Sequence, residues 1–238
     1  MNLFRGEHGR PLVIGHRGAA ALAPENTLAS LQAAVDARAD VVEFDISPGL
    51  RLGHSLGELP DQELSLDAAL EFLGGHDVLL HLDVKLPGYE EAVLEAVRRH
   101  RLEDRAYLST AFARTGRRIA ARAPGCTLAI GYPRDRVGIS KLQWPPALTR
   151  AGAAALRQVM PIRVPLLLRW ARANAISLHH TLCSRAAVSV AHRFGAPVLA
   201  WTVNDPATVR RLTAAGVDGI VSNDPGMVVE TLATLLAQ

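Results

Sequence analysis

Short apolar runs alternate with amphipathic stretches along most of the chain. An apolar run of about four to eight residues is typical of a buried strand, and an amphipathic stretch of about ten residues is typical of a helix packed on one face. Eight runs predict strands at residues 12–15, 41–46, 78–84, 106–109, 127–130, 175–178, 198–203 and 219–221. Stretches between and after them predict helices at residues 26–37, 66–73, 89–100, 113–123, 185–194, 207–215 and 226–235. This alternation favours parallel strands joined by crossover helices.

Eight repeats of about thirty residues fit the α/β class and the (β/α)8 or TIM barrel, in which helices surround a closed parallel sheet. A doubly wound open sheet is the alternative, but it usually has a glycine-rich phosphate turn after its first strand, which this sequence lacks. No Pro/Gly/Ser-rich linker divides the chain, so residues 1–238 are predicted to form a single domain. Residues 132–174 have the least regular pattern, and their length allows an irregular loop and more than one helix.

Composition and charge exclude several classes of protein. A chain of 238 residues with 49% hydrophobic side chains can bury a sizeable core. Its net charge of +3 comes from scattered charges of both signs, so we expect no nucleic-acid partner. Cys126 and Cys183 lack metal-site spacing and fit a reducing compartment, and the first twelve residues lack the apolar core of a signal peptide. These features predict a cytoplasmic protein. Residues 164–178 are too often interrupted by polar side chains to span a membrane.

Carboxylates stand at alternate positions of the second and third predicted strands. Glu43 and Asp45 lie two residues apart, so they share one face, which in a barrel points inward. On the next strand His81, Asp83 and Lys85 share the corresponding face. Burying several carboxylates together is costly unless a cation compensates, and Mg²⁺ or Ca²⁺ prefers such oxygen ligands. A salt-bridge network around Lys85 without a metal is the alternative, but one lysine would leave negative charge uncompensated.

Two histidines follow the first and second predicted strands. His16 lies in Gly15-His16-Arg17-Gly18, at the strand end where barrels of this type build their active sites. His54 lies nine residues after Asp45, on the following loop. Two imidazoles beside an acidic cluster can accept a proton from a nucleophile and donate one to a leaving group. Arg17 would bind an oxyanion. Taken singly, a histidine is more often a structural residue than a catalytic one.

These fragments resemble the opening signature of the glycerophosphodiester phosphodiesterase family. The signature consists of His16-Arg17-Gly18, Pro24-Glu25-Asn26-Thr27 and Glu43-x-Asp45. The similarity continues through Asp83-Val84-Lys85, Trp201-Thr202-Val203-Asn204 and the segment from Gly216 to Pro225. Ser177-Leu178-His179-His180 also resembles the polar end of strand six in some bacterial relatives. Their common order along nearly the whole chain makes the match specific.

The resemblance implies a metal-dependent enzyme of lipid and glycerol metabolism. Such an enzyme would hydrolyse a small-molecule glycerophosphodiester to sn-glycerol 3-phosphate and an alcohol such as choline. Carried over by position, Glu43, Asp45 and Asp83 would bind Mg²⁺ or Ca²⁺, and His16 and His54 would be the acid and base. Arg17 and Lys85 would neutralise the phosphate, Trp201 would form a wall beside the glycerol, and His180 would line the pocket. The oligomeric state stays open.

The sequence departs from the family pattern on the third predicted strand and on the loop that follows the second. Asp83 stands where the family usually has Glu, and Ser55 follows His54 where the family commonly has Asp. The connection from His54 to Ser65 is also shorter than in most relatives, which insert a small helical subdomain there. A more open pocket would follow. Lysophospholipase D-type cleavage of lysophospholipids is therefore the alternative function, and residues 164–170 would then make weak contact with a lipid surface.

Several residues have structural readings that compete with functional ones. Trp201 could serve core packing instead of substrate contact. Thr27 with Asn26, Ser65 and Ser184 are expected to cap helices, as are Asn204 and Asp205. Asp218 is expected at the opposite rim of the barrel, and Ser109 would reach the pocket floor or satisfy a backbone group. Two other functions compete: enolate chemistry on the same metal, and ligand binding by a barrel without catalytic activity. Two histidines with Arg17 suit phosphoryl chemistry better.

Overall fold

The computed structural model describes residues 9–53, 64–134 and 146–237, with only the backbone described for residues 146–150. The strands are β1 (Leu12–Gly15), β2 (Val41–Ser47), β3 (Arg51–Leu52), β4 (Leu79–Val84), β5 (Ala106–Thr110), β6 (Leu128–Tyr132), β7 (Ala175–His179), β8 (Val198–Trp201) and β9 (Gly219–Ser222). The helices are α1 (Leu28–Asp36), α2 (Leu66–Gly74), α3 (Glu90–Arg99), α4 (Ala113–Arg122), α5 (Pro146–Ala171), α6 (Arg185–Arg193), α7 (Pro206–Ala215) and α8 (Pro225–Leu236). A short 3-10 turn, His180–Leu182, follows β7.

Eight of these strands form the predicted (β/α)8 barrel. They run parallel in the order β1, β2, β4, β5, β6, β7, β8, β9, and β9 pairs again with β1, which closes the sheet. The two-residue strand β3 is the exception, because it pairs antiparallel with the end of β2. Each of the eight predicted runs lies on one barrel strand, so the fold prediction is confirmed.

Successive side chains of each strand point alternately into the barrel and out toward the helices, so the core has an inner and an outer part. Inside the barrel, an apolar cluster comprises Leu12, Ile14, Val41, Tyr107, Ala129, Ala175, Leu199 and Val221. Two larger clusters fill the space between the sheet and the helices. The inward residues nearer the carboxyl ends of β2 and β4 are polar. The functional side chains therefore stand on a packed apolar floor.

Side-chain caps fix the starts of several helices as predicted. Thr27, Ser65 and Ser184 each accept a hydrogen bond from a first-turn amide of α1, α2 and α6, respectively. Asp205 caps α7 in the same way. Asn26 caps no helix. Its amide instead contacts a carboxylate inside the barrel, as described below.

The described parts of the segment at residues 132–174, which are residues 132–134 and 146–174, contain one long helix, whereas the sequence pattern allows more than one. Helix α5 runs through 26 residues and includes Pro161 and Pro165. Proline removes a helical hydrogen bond and usually breaks a helix. Here Met160, Val164 and Leu168 recur four residues apart and are buried on one face, and this packing outweighs the loss. No helix in the described ranges is long and apolar enough to cross a membrane.

Candidate active site at the carboxyl ends of the strands

Three carboxylates from two neighbouring strands meet inside the barrel. Glu43 and Asp45 lie on β2, and the register of β2 with β4 places Asp83 directly beside Asp45. One oxygen from each of the three lies within 4.8 Å of the others. Glu43 is 4% exposed and Asp45 is 0% exposed. The structure thus brings together the three predicted metal ligands.

Two cationic side chains contact this acidic cluster. The Nζ atom of Lys85 lies 2.6 Å from Asp45 Oδ1 and 2.6 Å from Asp83 Oδ2. The Nε atom of Arg17 lies 2.9 Å from Asp45 Oδ2, and the backbone N–H of Arg17 donates to Glu43 Oε2 at 2.7 Å. Arg17 Nη1 also donates to Glu25 at 2.6 Å. Both cations predicted to bind phosphate therefore lie at the acidic cluster, where carboxylates hold them in place.

The electrostatics leave one carboxylate without full compensation. Burial raises the pKa of Glu43 well above its ordinary value, and the charges of Asp45 and Asp83 raise it further. Burial acts on Asp45 and Asp83 too, but Lys85 with Arg17 lowers the pKa of Asp45, and Lys85 lowers that of Asp83. These carboxylates in turn raise the pKa of Lys85 despite its burial. A divalent cation fits this group, because the donors are all oxygens and the charge near Glu43 is in excess.

A chain of polar contacts holds the carboxylate of Asp83 from below. Ser109 on β5 donates to Asp83 Oδ1 at 2.6 Å, and His81 Nε2 lies 2.7 Å from Ser109 Oγ. The ring of His81 stacks on Tyr107, with ring centroids 4.3 Å apart. The alternation of side chains along the strand predicts that His81 points into the barrel, but it assigns no role to this residue. Ser109 therefore reaches the pocket floor, which is one of its two expected places, and its partners Asp83 and His81 follow from the register of β4 with β5.

Asn26 holds the other side of the cluster. Its Oδ1 accepts from the backbone N–H of Asp45 at 3.0 Å, and its Nδ2 donates to Asp45 Oδ2 at 3.3 Å. Asn26 is 1% exposed and has a φ of 58°, a left-handed conformation that asparagine tolerates better than most residues. The expectation that Asn26 caps a helix is therefore wrong, and its place in the Pro24-Glu25-Asn26-Thr27 fragment is the sequence signal for a role in the site.

His16 lies at the end of β1 with one ring nitrogen engaged. Its Nδ1 lies 2.6 Å from Asn223 Oδ1. A carboxamide oxygen only accepts, so Nδ1 carries the proton and the neutral ring has Nε2 as a base. Burial lowers the pKa of His16, and the positive charge of Arg17 lowers it further. Asn204, expected to cap α7, instead accepts from the backbone N–H of Asn223 at 3.0 Å and so supports this contact.

The other wall of the barrel mouth is aromatic. Trp201 on β8 packs against the inner apolar cluster while staying partly exposed, and it meets His179 edge-on at 5.2 Å. The ring of His180 lies 4.5 Å from that of His179. Burial lowers the pKa of His179 to about 4 and also lowers that of His180. His54, the second predicted acid or base, lies outside the described residues.

Together the described residues can supply a cation-binding carboxylate group, a neutral imidazole base and two positive charges within one barrel mouth. This combination suits displacement at a phosphate ester, where negative charge develops on oxygen atoms.

Sequence comparison links the chain to known proteins. The model of the glycerophosphoryl diester phosphodiesterase family matches residues 16–47 and 147–227, which include His16, Glu43 and Trp201 but exclude Asp83 and Lys85. The chain is 25% identical to a glycerophosphodiester phosphodiesterase of Caldanaerobacter subterraneus subsp. tengcongensis over 95% of this chain and 98% of that protein. It is also 25% identical to a putative glycerophosphodiester phosphodiesterase of Bacillus subtilis, over 92% of this chain and 96% of that protein.

Structural comparison gives the same fold. A putative glycerophosphoryl diester phosphodiesterase from Silicibacter pomeroyi has a TM-score of 0.73 at 21% identity, covering 98% of this chain and 96% of that one. A phosphodiesterase from Oleispira antarctica, in complex with the product sn-glycerol-3-phosphate, has a TM-score of 0.72 at 21% identity, with 94% and 97% covered.

Proposed function

Because the chain belongs to the glycerophosphoryl diester phosphodiesterase family, we propose that it hydrolyses glycerophosphodiesters to sn-glycerol 3-phosphate and an alcohol. The observation that carries this proposal is the meeting of Glu43, Asp45 and Asp83 with Arg17 and Lys85 at one barrel mouth. The product bound in the Oleispira antarctica phosphodiesterase supports a substrate of this size and charge.

Glu43, Asp45 and Asp83 would hold Mg²⁺ or Ca²⁺, since both ions prefer carboxylate oxygens. When bound, the cation would supply positive charge against the negative charge that develops on the phosphate oxygens. Arg17 and Lys85 would add to that charge. Their contacts with Asp45 restrict both side chains before substrate arrives, so little ordering remains to be done on binding.

Proton transfer falls to the histidines in this proposal. His16 would accept at Nε2 the proton of the attacking group, because Asn223 holds Nδ1 as the donor. The attacking group is either water or the neighbouring glycerol hydroxyl, and in the second case water then opens the cyclic phosphate. His54 would donate a proton to the leaving alcohol oxygen. Trp201 and His180, on the opposite wall, would lie beside the glycerol. The free thiols of Cys126 and Cys183 fit the proposed cytoplasmic location.

Release of sn-glycerol 3-phosphate from glycerophosphocholine tests the proposal. Purified protein is assayed with Mg²⁺ or Ca²⁺ after removal of bound metal by chelation, and lysophosphatidylcholine is assayed beside it as the alternative substrate. We expect His16→Ala and His54→Ala each to lower turnover by about 100-fold or more, the scale of a lost acid–base group. Glu43→Gln should also lower turnover, because it removes a carboxylate that would hold the metal.

His192→Ala is the matched control for these variants. His192 contacts Asp218 at 2.8 Å. Asp218 binds the backbone N–H of Val198 where β8 begins, which confirms its predicted place at the opposite rim. Wild-type turnover is expected from the control. Undiminished turnover by all three site variants would refute the proposed mechanism.

A further inference from the structure

Helix α5 carries an exposed apolar stripe on the face turned away from the barrel. Val159, Ile162, Leu166 and Trp170 are 42%, 72%, 62% and 53% exposed. Their spacing of three and four residues aligns them on one side of the helix. The opposite side is the buried one that carries Met160 and packs against the barrel. An apolar stripe of this length on a surface helix indicates a binding surface, because single exposed apolar residues are usually scattered.

The chain around this stripe is strongly basic. Residues 136–204 contain nine Lys and Arg residues and no Asp or Glu, although the whole chain has a net charge of only +3. Arg163 and Arg169 are exposed. Arg163 comes one residue after Ile162 and Arg169 three residues after Leu166, so the two arginines lie on opposite flanks of the stripe. Within the described part of the chain, neither arginine is paired with a carboxylate. The two arginines therefore border the stripe with positive charge that no carboxylate among the described residues neutralises.

A cleft opens beside the stripe, and it shares Trp170 with the stripe and Arg163 with its flank. Its volume is about 290 Å³, and Tyr132, Arg134, Arg163 and Trp170 are among its lining residues. The guanidinium of Arg134 lies 3.7 Å from the ring centre of Phe112, and that of Arg163 lies 5.1 Å from the ring centre of Tyr132. Rings beneath the guanidiniums orient them without neutralising their charge. The cleft thus presents two cationic groups next to apolar side chains.

We propose that the α5 stripe docks the protein on the surface of an anionic phospholipid bilayer. The apolar side chains would enter the interface between headgroups and acyl chains, while Arg163, Arg169 and Arg134 would meet lipid phosphates. A second copy of the chain fits this surface poorly, because a symmetric contact would bring two basic, acid-free regions together. The stripe lies on the helix between β6 and β7, whereas the acidic cluster lies on β2 and β4, so docking does not depend on the proposed catalytic function.

Vesicle cosedimentation of the full chain tests the docking. We expect tight binding to vesicles of equal parts phosphatidylglycerol and phosphatidylcholine in 0.1 M salt, and at least tenfold weaker binding to phosphatidylcholine alone. Leu166→Glu with Ile162→Glu should weaken binding by more than tenfold. Arg163→Gln with Arg169→Gln should weaken binding to the anionic vesicles by about fivefold per arginine and reduce its salt dependence.

Leu236→Glu is the matched control, since Leu236 is 64% exposed on α8, the helix that follows β9. It should bind as the wild type does, and circular dichroism should show every variant folded. The proposal is overturned if wild-type protein ignores anionic vesicles, binds both kinds equally, or keeps its affinity in the stripe variants. A dimer in sedimentation velocity that Leu166→Glu dissolves, without vesicle binding, would assign the stripe to self-association and also overturn it.

Discussion

At the scale of single residues, His81 shows how burial sets the charge of a side chain. It is 4% exposed between Ser109 and Tyr107. Burial lowers its pKa to about 4, which Asp83 offsets only in part. In the unfolded chain a histidine titrates near pH 6.5. Between pH 6.5 and pH 4 the unfolded chain therefore takes up a proton that folded His81 does not, and the folded state loses stability as the pH falls.

We expect His81→Gln to remove this part of the acid sensitivity. Urea unfolding at pH 7, 5.5 and 4.5 in the presence of a chelator measures it, and the wild type should lose up to about 3 kcal/mol more than the variant on acidification. Glu43 acts in the opposite direction, because its raised pKa favours the folded state as the pH falls, but it does so in both proteins. His192→Gln, at an exposed site, serves as the control. Parallel pH curves for wild type and His81→Gln would contradict the expectation.

At the scale of elements, the turn between β1 and α1 holds the catalytic candidates against β2. Gly18 has a φ of 82°, and its backbone N–H donates to the carbonyl of Glu43 at 2.8 Å. A side-chain carbon at Gly18 would lie 2.4 Å from the backbone carbonyl of Ser30. The turn can therefore approach α1 only with glycine at this position. This close approach fixes the backbone on which Arg17 and His16 stand.

Gly18→Ala should destabilise the fold by more than about 2 kcal/mol, because it combines a left-handed backbone with overpacking against a helix. Turnover should fall as well, since Arg17 would shift. Gly49→Ala is the matched control: Gly49 has a φ of 86° but open space around it, so only the backbone cost of about 1 kcal/mol is expected. Urea unfolding and the phosphodiesterase assay measure the two effects. Equal stability losses in the two variants would refute the role of the close contact.

At the scale of the whole molecule, the acidic cluster ties separate parts of the barrel together. Its carboxylates come from β2 and β4, and its contacts extend to Arg17 after β1 and to Ser109 on β5. A cation bound there would favour the folded state over the unfolded state, in which these groups are far apart. The site is therefore expected to act on stability as well as on catalysis.

Metal binding should raise the melting temperature of the chelator-treated protein. At 100 times the dissociation constant, a bound ion stabilises the fold by about 2.7 kcal/mol, which for a chain of this length corresponds to about 5–10 °C. Thermal melts with Ca²⁺ or Mg²⁺ measure the shift. Glu43→Gln should abolish it, whereas Glu91→Gln, at an exposed ion pair with Arg122, should keep it. No shift with either ion, or a full shift in Glu43→Gln, would speak against the metal site.

The sequence by itself determined the order of the elements and the direction of the inward side chains. Both depend on local periodicity, because residues two apart on a strand share a face wherever the strand lies. Glu43, Asp45 and Asp83 could therefore be placed inward before any contact was known. The first residues of α1, α2 and α6 also follow from local sequence, because Thr27, Ser65 and Ser184 each accept a hydrogen bond from an amide in the first turn of the helix they precede.

Only the tertiary structure decided which of these residues meet. The register of β2 with β4 pairs Asp45 with Asp83, and barrel closure brings Asn223 to His16 across 207 positions of sequence. Asn26 binds Asp45 although its local setting suggested a cap, and α5 continues through its prolines because the barrel buries one of its faces. Such contacts join segments distant in sequence, so their free energies depend on the assembled fold and leave no periodic trace along the chain.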